Sequence, residues 1–153
     1  MTKPDPVDVT VEATIPASPE AVYDLIADIP RMSEWSPETT ATEWIKGSST
    51  AVEGARFKGT NRLGKASWST KPVITEAERG AAFEFKVPGK SGPTWRYEFT
   101  SVPGGTRVIE SARQAAPSPA IIRFIQRRNG VTDRSAHLAA GMRTTLANLA
   151  AAV

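Results

Sequence analysis

The chain reads as an α+β protein: one curved antiparallel sheet of about seven strands wrapped on a long C-terminal helix, with two short helices after the first strand. Three observations predict this. Residues 7–15 alternate apolar and polar side chains and are followed at once by a capped helix. Residues 39–114 hold strand-like segments joined by short turns, which makes neighbouring strands antiparallel. The last third carries a helical apolar period, the cover that a sheet with one apolar face requires.

The first strand places Val7, Val9, Val11, Ala13 and Ile15 on one face and Asp8, Thr10, Glu12 and Thr14 on the other. Ser18-Pro19 starts a helix, with Ser accepting from orphan amides and Pro needing no amide partner. Glu20 sits in the first turn, where the helix dipole favours negative charge. Val22, Leu25, Ile26 and Ile29 form its apolar stripe, Pro30 ends it, and Met32 with Trp35 suggests a second short helical turn.

Residues 39–46 alternate loosely, and residues 56–63 place Phe57, Gly59 and Asn61 on one face. Residues 66–77 read as one long strand interrupted at Pro72, which implies an edge or a bulge. Residues 81–87 put Ala81, Phe83, Phe85 and Val87 inward, and residues 94–102 do the same with Trp95, Tyr97 and Phe99. Pro103-Gly104-Gly105 is a hairpin turn into the last strand, residues 106–114. Pro117-Ser118-Pro119 then starts a helix with Ile121, Ile122, Phe124 and Ile125 as its apolar residues, broken at Asn129-Gly130. From Val131, the residues Ser135, Leu138, Met142, Leu146, Leu149 and Val153 fall within about 60° of one another at helical pitch.

Bulk properties narrow the function. The 153 residues suit a single domain spanning 1–153, with residues 1–6 expected to be flexible. Without cysteine there is no disulfide, thiol nucleophile or Cys-ligated metal, and with one histidine a zinc site would need mostly carboxylates. The net charge of +3 is spread along the chain and gives no argument for nucleic acid. The polar N-terminus lacks an apolar signal core, and no segment is apolar enough to insert stably in a membrane, so a cytoplasmic protein is the expectation. Neither a phosphate-binding glycine loop nor a Gly-x-Ser-x-Gly elbow is present.

Strand, two short helices, six strands and a long terminal helix is the helix-grip order. The chain resembles the START-like or SRPBCC superfamily, which holds birch-pollen-type allergens, lipid-transfer START domains and polyketide cyclase/dehydrase-like proteins. The resemblance covers nearly the whole chain. Its most specific pieces are residues 15–24 (Ile-Pro-Ala-Ser-Pro-Glu-Ala-Val-Tyr-Asp), residues 32–38 (Met-Ser-Glu-Trp-Ser-Pro-Glu), residues 94–99 (Thr-Trp-Arg-Tyr-Glu-Phe) and residues 104–108 (Gly-Gly-Thr-Arg-Val). The resemblance implies a cavity between sheet and helix that holds an apolar small molecule. It implies no cofactor and no single reaction.

The candidate residues lie on the inward faces. Phe57, Trp68, Phe83, Trp95 and Tyr97 are the expected sheet-side wall, with Leu138 and Met142 opposite on the terminal helix. Asn61 is either a ligand contact or an amide bonded to a neighbouring strand or a turn. Glu110 is the candidate acid/base. If its face is that of Val108 and Ala112 it lies in the cavity, with Arg113 or Arg62 as a conceivable partner; if Ile109, Ser111 and Arg113 face in, it is exposed. His137 is expected to face solvent or lie at the helix flank, and Arg123, Arg127 and Arg128 to form a solvated helix face, with a phosphate or anionic-lipid contact as the alternative. The leading reading is a binder or carrier of a hydrophobic, lipid- or polyketide-like small molecule. The alternatives are a polyketide cyclase/dehydratase-like enzyme using Glu110, with Asn61 and Tyr97 orienting a carbonyl, and an interaction module whose core is filled. Oligomeric state and ligand identity are left open.

Overall fold

The computed structural model describes residues 5–153. The expected flexibility of residues 1–6 therefore lies, for residues 1–4, outside the described residues; Asp5 and Pro6 are exposed. The strands are β1 (Asp8–Ile15), β2 (Thr39–Ile45), β3 (Arg56–Leu63), β4 (Ala66–Thr70), β5 (Val73–Glu78), β6 (Ala82–Lys86), β7 (Thr94–Val102) and β8 (Gly105–Arg113). The helices are α1 (Pro19–Ala27), followed by a 3-10 turn at Ile29–Glu34, then α2 (Ala120–Arg128) and α3 (Arg134–Ala151). All strand pairs are antiparallel, in the spatial order β1-β8-β7-β6-β5-β3-β2, with β4 also on β3. This is the expected curved sheet gripping a C-terminal helix.

The long strand expected over residues 66–77 is two strands. Pro72 has no amide to give to the ladder, so regular pairing stops there. Both halves still face β3, Thr70 opposite Gly59 and Val73 opposite Arg56, and the Pro72 carbonyl accepts from the Phe57 amide at 3.2 Å. Eight strand segments thus occupy seven positions across the sheet.

The start of the chain folds as its residues dictate. Val7, Val9, Val11 and Ile15 are buried while Asp8, Thr10, Glu12 and Thr14 are exposed. Ser18 caps α1 by accepting from the Ala21 amide at 3.2 Å, with Pro19 at the first helical position. α1 packs on β6, β7 and β8. Its Tyr23 ring meets Phe83 and Phe99 edge-on, with centroids 5.9 and 5.8 Å away.

The corner between β1 and α1 is pinned to the start of β8. The Thr106 hydroxyl donates to the Ala17 carbonyl at 2.7 Å. A Cβ on Gly105 would stand 2.0 Å from the Ile15 carbonyl oxygen, and its φ of +146° disfavours any other residue. Gly105→Ala should therefore lower stability by about 1–3 kcal/mol, read as a reduced urea midpoint with an unchanged slope.

α3 starts at Arg134 rather than Val131, because Asp133 caps it by accepting from the Ala136 amide at 3.0 Å. Val131 is buried in the preceding connection, and Val153 lies past the helix end and is exposed. Leu138, Met142, Leu146 and Leu149 are buried as expected, and Thr145 joins them. α3 packs along β1.

Candidate functional site

Between the sheet and α3 lies a cavity of about 690 Å³. Phe57 and Asn61 line it from β3, Trp68 from β4, Trp95 and Tyr97 from β7, Glu110 from β8, and Leu138 and Met142 from α3. Within this wall Phe57 meets Phe85 edge-on at 5.2 Å, and Phe85 stacks on Trp95 at 6.5 Å. Trp68 is 36% exposed and stands at the rim. Ile122 and Ile125 of α2, also partly exposed, line the cavity as well.

Phe83 is the exception. It was expected on the wall, but it is fully buried and does not line the cavity. It shares the inward face with Phe85, but α1 covers that end of the sheet and Tyr23 sits against its ring. The inward face is thus divided, with α1 filling one end and the cavity occupying the other. Trp35 is likewise core, and Trp44 packs edge-on against Phe57 at 6.3 Å.

Glu110 faces inward. Val108, Glu110 and Ala112 are each at most 1% exposed, so they form the inner face of β8, while Arg113 points out. Tyr97 of β7 lies directly across the ladder from Glu110, and Val11 of β1 on its other side. The Glu110 Oε1 atom is buried without a hydrogen-bond partner. Burial raises the Glu110 pKa to about 8, and the Tyr97 hydroxyl pulls weakly the other way by hydrogen bonding to the ionised form. Burial, and then the Glu110 charge, push the Tyr97 phenol well above its usual range. Neither arginine considered as a partner reaches Glu110. Arg113 donates to Asp8 at 3.1 Å, and Arg62 donates to the Gly64 carbonyl at 3.0 Å. The site therefore holds a neutral carboxylic acid with one idle oxygen in an aromatic cavity at pH 7.

Asn61 is half-buried, and its Oδ1 accepts from the Thr39 hydroxyl at 3.2 Å. It both lines the cavity and bonds to the neighbouring strand.

Sequence reasoning missed a second polar group in the wall. Glu38, just before β2, receives two hydrogen bonds from the Arg134 guanidinium at 2.8 and 2.9 Å. His137 Nε2 lies 3.6 Å from the same carboxylate, and all three residues line the cavity. The pair is about four-fifths buried on both sides, which gives it more strength than a surface ion pair. His137 sits at the helix flank as expected, yet it faces this pair and not only solvent. Among the described residues no group of three or more His, Asp or Glu is placed to hold a metal ion, and no helix is long and apolar enough to cross a membrane.

A curved sheet closed on a terminal helix around a lined cavity defines the helix-grip class. The sequence matches the family model described as polyketide cyclase / dehydrase and lipid transport over residues 6–153, and the chain belongs to that family. Solved structures share the fold. Protein CV1439 from Chromobacterium violaceum superposes with a TM-score of 0.71 at 14% identity, covering 97% of this chain and 98% of that one. The di-domain ARO/CYC StfQ from the steffimycin biosynthetic pathway gives 0.72 at 15% identity, covering 95% of this chain and 49% of that one. Ginseng major latex-like protein 151 from Panax ginseng gives 0.71 at 10% identity, covering 94% and 95%. No curated protein matches the sequence. At these identities the likeness shows the fold; the chemistry has to be argued from the cavity itself.

Proposed function

We propose that the protein binds a hydrophobic small molecule, lipid- or polyketide-like, with an aromatic or alicyclic body and one hydrogen-bond-accepting oxygen, inside the cavity. The observation that carries this reading is the volume of about 690 Å³ walled by Phe57, Trp95, Leu138 and Met142 with the neutral acid Glu110 at its inner face. A volume in the range of ligand sites, mostly apolar and bearing a few convergent polar groups, is what small-molecule recognition requires. A protonated Glu110 has one O–H to give, and a ligand carbonyl would satisfy it. The interaction-module alternative loses its basis, since it requires a filled core.

Prodan, a neutral naphthyl ketone, tests the reading. It should bind the folded protein, shift its emission to the blue and accept energy from Trp95 and Trp68. Its affinity should be constant below about pH 8 and fall above it, as Glu110 ionises and loses the proton it donates. Absence of saturable binding, or an affinity indifferent to pH between 6 and 10, contradicts the proposal.

A second reading is favoured by the same residue. An acid of pKa about 8 can take or give a proton near neutral pH, which suits a cyclase or dehydratase with Asn61 and Tyr97 holding the substrate oxygen. Turnover in Glu110→Gln separates the two. Prodan affinity is kept under either reading because the amide still donates. An enzyme loses turnover of its substrate by about 100-fold or more, whereas a binder shows no turnover in the parent chain to lose.

A further inference from the structure

α2 differs from the other helices. Whereas α1 and α3 bury part of one face, α2 buries none of its nine residues. Ile121 and Phe124 are 63% and 54% exposed, and Ile122 and Ile125 are 41% and 38% exposed. The helix contains three arginines and no acidic residue. None of Arg123, Arg127 and Arg128 forms an ion pair among the described residues. Arg128 lies over the Phe124 ring at 5.8 Å, and Arg123 donates to the Ser118 carbonyl at 3.3 Å. Arg123 and Arg127 also line a polar hollow of about 530 Å³ beside the helix. Its acidic residues are Asp5 and Asp133, and Asp133 is occupied in capping α3.

The helix is nevertheless held in place. Asn129 at its C-terminal end accepts from the Lys65 amide at 2.8 Å and donates to the Ile125 carbonyl at 2.8 Å. Gly64 permits this contact, since a Cβ there would stand 2.4 Å from the Asn129 Oδ1. The exposed apolar residues therefore belong to a fixed, presented surface.

We propose that α2 docks the protein on an anionic lipid bilayer, with Ile121 and Phe124 seated in the acyl boundary and the arginines at the headgroup phosphates. A short amphipathic helix with Arg123 and Arg127 on its polar side and Ile121, Phe124 and Ile125 on its apolar side, where Arg128 covers the Phe124 ring and can extend its guanidinium to a phosphate, is the physical form of an interfacial anchor. Charge complementarity favours this occupant over a second copy of the chain. Two copies meeting at α2 would bring arginines against arginines, whereas an anionic surface meets both the charge and the apolar residues. Ile122 and Ile125 of the same helix line the cavity rim, so docking turns the cavity mouth toward the membrane. The docking stands on α2 alone; a role in passing an apolar ligand rests on the binding proposed above.

Flotation with extruded vesicles tests it. The full chain should float with vesicles of equal parts phosphatidylcholine and phosphatidylglycerol and stay behind with phosphatidylcholine alone. Arg127→Glu with Arg128→Glu should lower partitioning by at least about tenfold, and 1 M salt should do the same. Ile121→Ser with Phe124→Ser should abolish flotation. Both double variants change only exposed side chains, and both should retain prodan binding, which keeps a failure of docking separate from a failure of the cavity reading. No flotation on the anionic vesicles overturns the proposal. So does equal flotation of the variants, or a dimer in light scattering that the Ile121→Ser/Phe124→Ser variant dissociates while no vesicle binding is seen.

Discussion

Glu110→Gln should make the protein more stable at pH 9 than the parent chain, by an amount of the order of 3–5 kcal/mol. The carboxyl is 1% exposed and its pKa rises from 4.5 to about 8 on folding, because burial penalises the charge. Between those two values the folded chain keeps a proton that the unfolded chain has released. Stability must then fall as pH rises through this window, and the loss is complete above pH 8. Glutamine has nearly the same shape, carries no charge at any pH, and removes the dependence. Urea unfolding at pH 5, 7 and 9 reads this directly. The parent midpoint should decline over the series, the variant midpoint should not decline with it, and the two should converge at pH 5. A variant less stable than the parent at pH 9 would mean that the ionised carboxylate is held by donors, against the orphaned Oε1 described above.

Leu146→Ala should cost about 2–5 kcal/mol. Leu146 is 1% exposed on α3, and α3 is the element that closes the sheet into a grip. Removing its branched end leaves a hole where dispersion contacts were dense, in addition to the lost transfer free energy. Ala147, one residue on, is exposed, so Ala147→Ser should stay within about 0.5–1 kcal/mol. The loss should appear in the denaturant midpoint at constant slope. Because Leu146 does not line the cavity, prodan affinity of the fraction that stays folded should be unchanged.

The residues that announced the fold did so through local physics. Alternation in residues 7–15, the Ser18-Pro19 start and the inward Trp95-Tyr97-Phe99 series each depend on near neighbours, and each takes its expected place. Glu110 needed more. Strand parity alone left two faces open, and the buried Val108 and Ala112 on either side resolve them. Phe83 is off the wall because the helix that covers its end of the sheet comes from another part of the chain; alternation tells which face is inward, not what lies beyond it. The Glu38–Arg134 pair was illegible for a related reason, with its two members 96 residues apart. The available signal was a carboxylate beside Trp35-Ser36-Pro37 and an arginine just after the Asp133 cap, and neither points to the other without the fold. α2 shows the opposite limit. Its apolar residues were readable as a helical face, and a helical face usually packs; only the structure shows that none of these side chains is buried.

A cavity that is a ligand site should carry its ligand out of the cell with the protein. Native mass spectrometry of the protein purified gently from its own host tests it most directly. The expected result is a folded species heavier than the bare polypeptide by the mass of one small organic molecule, which extraction into organic solvent then releases. A Glu110→Gln preparation should carry the same adduct. The bare polypeptide mass in every charge state, from a preparation never exposed to detergent or solvent, would contradict it.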